Sequence, residues 1–373
     1  MVVDRLDPRV PGPRYLQVVE MLRRRIATGE LPAGTRIPSD RELAAKIGVS
    51  PVTVSRALQR LSEIGMVRRE VGRGTFVIAS TPQQQLEVHL RVLFGSGLAP
   101  ETVRTDYYLG PLLRGLIDEA SKQGVLFSFG GLRTGQGSSS VERINNDALI
   151  FVTPADEHVE LLRSLYQAKR PFVILGAHWD DLPAPSVDSD NFEAGRRVAK
   201  RLARLHHQRI AFLGAFANAP NTRDRLLGFK AGLSEAGLPV DPELTDVVPD
   251  NTKDTVEEVI QRWIGAHDPP TAVFAAGYDL SVWAYKAILS AGLRIPEDVS
   301  LVGFDDNPAD FWDQNPITTV IQPLYRMGIE AVRMALANRR VFPPSGRSTL
   351  LLPCRYVERG STAKRTVSNP RAM

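Results

Sequence analysis

A chain of 373 residues, 43% of them hydrophobic, has room for two or three domains and a sizeable core. Its single cysteine, Cys354, excludes an internal disulfide and a cysteine-based metal centre; the apolar run Leu350 to Cys354 makes it a buried or half-buried strand residue. The net charge of +4 is unevenly spread: residues 1–80 hold 14 Lys and Arg against 8 Asp and Glu, and the rest of the chain holds 32 against 34. A positive surplus confined to one terminal unit suits a phosphate-binding head on a near-neutral body.

Residues 1–12, with Pro8, Pro11 and Gly12, make a flexible start. They lack an apolar core of signal-peptide length, and no run in the chain approaches the roughly 18 apolar residues of a membrane span. A cytoplasmic protein without membrane contact is expected. Tyr15 to Thr28 forms an amphipathic helix closed by Gly29, and Arg23-Arg24-Arg25 is a solvated face of it, with a phosphate-facing run as the other reading. Ser39 caps a second helix, with Glu42 three residues on to reach back to the cap; Gly48 ends it. Ser50 caps a third, with Pro51 at the first helical position. Val67 to Arg69, a turn over Glu70 to Arg73, and Gly74 to Ile78 read as strand, turn and strand. Residues 13–79 are thus a winged helix-turn-helix whose last helix is shaped for a DNA major groove.

The spaced motifs Tyr15-Leu16-Gln17, Ile26-x-x-Gly29-x-Leu31-x-x-Gly34, Ile37 to Ala44 and Gly72 to Val77 resemble the DNA-binding domain of the GntR family. That resemblance implies a DNA contact for Arg41, and a wing tip at Gly72 and Arg73 that approaches the minor groove. Where the family has Ser-Arg-x-Thr-Val-Arg, this chain has Ser50-Pro51-Val52-Thr53-Val54-Ser55. The string Val49 to Leu58 instead resembles the recognition helix of LacI-type repressors, which implies base readout by Arg56, with Ser50, Thr53 and Ser55 on phosphates.

Ala79 to Gln85 is a short polar stretch, so residues 80–87 read as a linker. Beyond it, continuous apolar runs at Leu90–Phe94, Val125–Phe129, Ala148–Val152, Phe172–Leu175, Ile210–Leu213, Ala272–Ala275 and Val299–Val302 alternate with amphipathic segments of helical length. Such a pattern makes parallel sheets covered on both faces, and its length favours two lobes. Asp190 with Glu193 starts one helix, Asn221 or Thr222 the next, and Gly237 and Gly292 close two more. No phosphate-binding loop, dinucleotide fingerprint, nucleophile elbow or zinc-binding H-E-x-x-H occurs, so no catalytic residue, metal or cofactor is expected. His206-His207 ends a basic helix, where it suits the helix C-terminus better than a metal.

Asp190-Asn191-x-x-x-Gly195, Arg209 to Gly214, Thr222 to Phe229, Pro269 to Ala275, Ala291 to Asp306 and Thr318-Thr319-Val320-x-Gln322-Pro323 follow one another in order. Together they resemble the effector domain of the LacI family, itself similar to periplasmic sugar-binding proteins. The resemblance implies two Rossmann-like lobes joined by three crossovers: lobe 1 over 88–188 and 322–346, lobe 2 over 189–321 and 347–360. It also implies a small polar effector, a sugar or sugar acid, in the cleft, and a homodimer on a double-stranded DNA operator. Arg225 and Asp305 match effector-contact positions, with an interlobe salt bridge as the other reading, and Gln322 joins them. Trp179 either stacks on a sugar face or is an ordinary loop aromatic. Three departures bear on the ligand: Gly277-Tyr278 replaces the family's Asn-Asp, Gly176 stands at an aspartate position, and Leu324 replaces an aromatic. Tyr278, Asp279 and His178 are the candidates to compensate. The expectation is a ligand-responsive transcription regulator, most readily a repressor; a transport-associated solute-binding protein and a two-lobed sugar-modifying enzyme are the alternatives. Residues 361–373 read as a disordered tail.

Overall fold

The computed structural model describes residues 13–27, 29–63, 65–70, 72–78, 89–95, 106–132, 148–306, 316–339, 342–343 and 348–365. The expected flexible start, the linker at 80–87 and the tail beyond 365 lie outside these. The chain divides into two compact units, residues 1–87 and 88–373.

The head runs α1 (Arg14–Ala27), β1 (Arg36–Ile37), α2 (Asp40–Ile47), α3 (Pro51–Glu63), β2 (Val67–Glu70) and β3 (Gly74–Val77). Local chemistry sets its corners. The Glu42 amide donates to Ser39 Oγ (3.3 Å) while Glu42 Oε2 accepts from the Ser39 amide (2.9 Å), a reciprocal capping box. Gly48, at φ 75°, ends α2 in the left-handed conformation that only glycine adopts freely. Val18, Leu22, Leu43, Ile47, Leu58 and Leu61 close one small core beneath the helices. The three strands form an antiparallel sheet in the order β1-β3-β2.

The body holds two six-stranded sheets. β4 (His89–Phe94), β5 (Leu126–Gly131), β6 (Ala148–Val152), β7 (Phe172–Leu175) and β8 (Ser186–Ser189) belong to the first lobe, with α4 (Asp106–Lys122) and α5 (Val159–Gln167). The chain then crosses to the second lobe: α6 (Asn191–Arg204), β9 (Ile210–Ala215), α7 (Pro220–Glu235), β10 (Thr245–Val248), α8 (Lys253–Ile264), β11 (Ala272–Ala275), α9 (Tyr278–Ser290), β12 (Ser300–Phe304) and β13 (Thr318–Ile321). It returns for α10 (Leu324–Asn338) and β14 (Thr349–Leu352), then crosses once more for β15 (Arg355–Val357). The strand orders are β14-β8-β7-β6-β4-β5 and β10-β9-β11-β12-β13-β15, parallel except where β15 runs against β13. Phe151 and Phe172 in one lobe, and Phe212, Phe229, Phe274 and Phe304 in the other, fill the layers between sheet and helix.

Four expectations need correction. Residues 349–352 pair with Ser186–Ser189 and so belong to the first lobe; an apolar run of four residues fits either sheet equally well in sequence. α7 begins at Pro220, ahead of Asn221, because proline suits the first helical position. The tail does not begin at Gly360. Ser361 is fully buried, its Oγ donating to Leu301 O (2.6 Å) and accepting from the Thr318 amide (2.7 Å). His207 is buried too; its ring nitrogens meet Thr271 Oγ1 (2.9 Å) and Ala363 O (3.1 Å), not a helix end, and burial holds its imidazole below the usual range. Cys354, as expected, is buried, which raises its thiol to about 12.

Candidate functional site

In the head, α3 buries Val54, Ala57, Leu58 and Leu61, which leaves Val52 and Arg56 exposed on the opposite side. Ser50 and Thr53 spend their hydroxyls on the helix cap: Ser50 Oγ lies 2.8 Å from Thr53 Oγ1 and accepts from the Thr53 amide (3.2 Å). Arg56 does not extend freely; its guanidinium lies 4.3 Å from the centroid of the Tyr15 ring. Ser55 faces the wing, where Arg69 donates to its carbonyl (3.3 Å) and forms an ion pair with Asp40 (3.3 Å). Arg41 is exposed at the start of α2. Gly72 turns the hairpin at φ 75°, and Arg73 stands beside it, paired to Glu70 (3.0 Å), which also holds Arg68 (2.7 Å). Arg69, Arg68 and Tyr15 were not singled out by sequence; the alternation of Val67-Arg68-Arg69 was the available signal, since it puts one arginine on each face of a strand.

At the junction of the lobes, Arg225 on the first turns of α7 is buried, its guanidinium 3.6 Å from the centroid of the Phe304 ring. Its Nε donates to Asn191 Oδ1 (2.8 Å) and its Nη1 to Ala276 O (2.9 Å). Asp305, just past β12, is buried at φ 70°, the left-handed region, and is held there by Thr319 Oγ1 on its carbonyl (2.6 Å). Gln322 donates to Asp305 Oδ1 (2.7 Å) and accepts from Ser189 Oγ (2.7 Å), which links the second and third expected contacts to the first crossover. Burial pushes the Asp305 carboxyl up, against the opposing pull of Arg225 and the Gln322 hydrogen bond.

Around this centre stand groups that bridge the lobes. His178 Nδ1 lies 3.3 Å from Asp188 Oδ2 in its own lobe, and its Nε2 lies 3.6 Å from Asp224 Oδ2 in the other. Asp188 raises the imidazole above its ordinary value through that hydrogen bond, with the charges of Asp224 and Asp180 adding. Burial lifts Asp224 to about 6. Asp156 of the first lobe pairs with Arg223 of the second and accepts from Trp179 Nε1 (2.8 Å). Tyr107 stacks on Tyr278 across the junction, with ring centroids 5.1 Å apart; burial raises the Tyr278 hydroxyl to about 12. Asp279 accepts from Asn251 Nδ2 (2.6 Å), so an amide from another loop stands near the replaced Asn-Asp. A Cβ on Gly176 would meet the Tyr108 hydroxyl at 2.8 Å, which explains the missing aspartate there: the tyrosine takes its room. Tyr107, Tyr108, Asp156, Asp188 and Asp224 were not among the expected contacts. The crowding of opposite charges in Arg223-Asp224-Arg225 at a helix start was the only sequence sign of this cluster.

Comparison with known proteins follows this division. Residues 14–77 match the gntR family of bacterial regulatory proteins, and residues 199–362 match the periplasmic binding protein-like domain. The HTH-type transcriptional regulator DegA of Bacillus subtilis is 26% identical over 86% of this chain and 97% of its own. The arabinose metabolism transcriptional repressor of Geobacillus stearothermophilus is 25% identical over 87% of this chain and 90% of its own. Among solved structures, the complex of the transcriptional regulator CelR with cellobiose superposes with a TM-score of 0.65 at 23% identity, over 86% of this chain and 94% of that one.

Proposed function

We propose that this chain, which joins a gntR-family DNA-binding head to a periplasmic binding protein-like body, is a transcriptional repressor released from or driven to its operator by a small effector bound between the lobes. The observation that carries the reading is the polar centre at the lobe junction: Arg225 and Asp305, both buried, one offering guanidinium donors beside Asn191 and the other a carboxylate beside Gln322. Groups of that kind fork across neighbouring hydroxyls. The carboxylates of Asp156, Asp188, Asp224 and Asp279 outnumber the guanidinium groups of Arg223 and Arg225 there. A ligand that donates hydrogen bonds therefore fits better than an anion, so the effector is a neutral sugar or sugar derivative and not a sugar acid. Binding of cellobiose by the structurally similar CelR supports the same class.

Because Asp156–Arg223, His178–Asp224 and Tyr107–Tyr278 join the two lobes, a ligand that favours this arrangement shifts a two-state equilibrium by its differential affinity, typically about 1–3 kcal/mol. In the head, Arg56 reads a base edge, Arg41 and Arg73 sit on phosphates or in the minor groove, and Ser50, Thr53 and Ser55 line the backbone. The protein acts in the cytoplasm as a homodimer: the outer strand β5 exposes Leu126 and Phe129, and α4 exposes Ile117 in the same lobe, apolar surface that a second copy would cover.

Footprinting on DNA flanking its own gene tests the operator; protection that survives physiological salt is expected, and only salt-labile, sequence-independent binding would refute it. A thermal-shift screen tests the effector: at least one neutral sugar should raise the melting temperature of the body, and a response confined to sugar acids would overturn the class.

A further inference from the structure

We propose that Val52 reads the C5-methyl group of a thymine in the operator's major groove, next to the base pair read by Arg56; this rests on the regulator reading above. α3 begins at Pro51 and buries Val54, Ala57, Leu58 and Leu61. At about 100° per residue, the direction opposite that face falls on Val52. Arg56 and Gln59 follow it one and two turns along the same outward stripe. Val52 is 76% exposed, the most exposed large hydrophobic residue among those described. A lone surface valine is ordinary elsewhere; on the outward line of a recognition helix it faces the base edges.

The groups beside it are committed. Ser50 and Thr53 bond each other within the cap, and Ser55 lies against Arg69. The outermost point of the first turn is therefore a bare isopropyl group, which can neither donate nor accept. Set against cytosine or guanine, it would strip water from a polar edge and give nothing back. Only thymine presents an apolar group in the major groove, its C5-methyl, and apolar side chains pair with it. Val52 and Arg56 are four residues apart on the helix, about 6 Å along its axis, or one to two base-pair steps of about 3.4 Å. The structure thus specifies a half-site with a thymine one or two positions from the guanine that a guanidinium prefers.

The test uses the full-length protein. Operators are selected from random duplexes, and each thymine is then replaced singly by deoxyuridine, which removes only the methyl. One thymine per half-site, within two base pairs of the position that loses its preference in Arg56→Ala, should bind about three- to five-fold more weakly as uracil. Val52→Ser should bind the thymine operator about as weakly as the wild type binds the uracil one, with no further loss on uracil. Its melting temperature should be unchanged, since Val52 is exposed and lies outside the head's core. Affinity insensitive to uracil at every position, or equal losses in wild type and Val52→Ser, would overturn the assignment and leave the regulator reading standing. Failure to enrich any sequence would overturn the regulator reading, and this inference with it.

Discussion

Acidification should tighten the lobes, and Asp224→Asn should lessen that dependence. His178 lies between Asp188 and Asp224, the first in its own lobe and the second across the junction; Asp180, on the same loop, and Arg223, beside Asp224, complete the charged surroundings. Asp224 rises from 3.8 to about 6 because burial penalises its ionised form more than His178 rewards it. At about 1.4 kcal/mol per tenfold in proton affinity, that difference is worth about 3 kcal/mol. The sign follows from linkage: an acid whose folded value is raised contributes stability that is complete below 3.8 and lost as the pH climbs through about 6. His178 is also raised, so its contribution is complete below 6.5 and lost as the pH rises through its higher folded value. Both groups favour the closed body in acid. Thermal melting of the full-length protein at pH 5.5 and pH 8, following the body's own transition, measures the effect. Asp224→Asn should raise that transition at pH 8 by about 3–8 °C and flatten its pH dependence. A variant that melts lower than the wild type at pH 8, or a wild type more stable at pH 8 than at pH 5.5 with the slope intact in the variant, would refute the reasoning.

Arg56→Ala should relax base preference at one position per half-site by about 1–3 kcal/mol, whereas Arg41→Ala should weaken binding to all sequences alike and lower the salt slope; competition binding at two salt concentrations separates them. Gly228→Ala should cost about 1–3 kcal/mol or more, because a Cβ there would stand 1.9 Å from Phe192 O where α6 and α7 pack backbone to backbone; the shift would carry Arg225 with it, so effector affinity should fall together with the melting temperature. Truncation after Gly360 should destabilise the body by about 5 kcal/mol: Ser361 and Ala363 make five buried or half-buried hydrogen bonds, to Leu301 N and O, Thr318 N, His207 and Ser300 Oγ, each worth about 1 kcal/mol. Denaturant unfolding reads that loss, and an unchanged midpoint would mean the segment only rests on the surface.

What the sequence reveals of this protein follows the range of the interactions. The capping box of Ser39 and Glu42, the left-handed Gly48 and the Ser50-Pro51 helix start each act within four residues, so their types and spacing state the structure outright. Parallel strands buried on both faces are nearly as plain, because no polar residue interrupts Phe172–Leu175 or Ala272–Ala275. Arg225 and Asp305 lie where a helix starts and a strand ends, and so they too can be found. His178, Asp188 and Asp224 cannot: they come from a loop, a strand and a helix in two lobes, and only the packing of one lobe on the other sets them side by side. Ser361 was misjudged for a related reason. Its neighbours are polar, the composition of a solvated tail, yet their polar atoms satisfy groups at the start of β12 and the start of β13. A polar stretch is read as exposed only while its partners are unknown. Charge at the lobe junction makes the same point: single carboxylates along the chain are unremarkable, and only the fold gathers Asp156, Asp188 and Asp224 around His178 and Arg223.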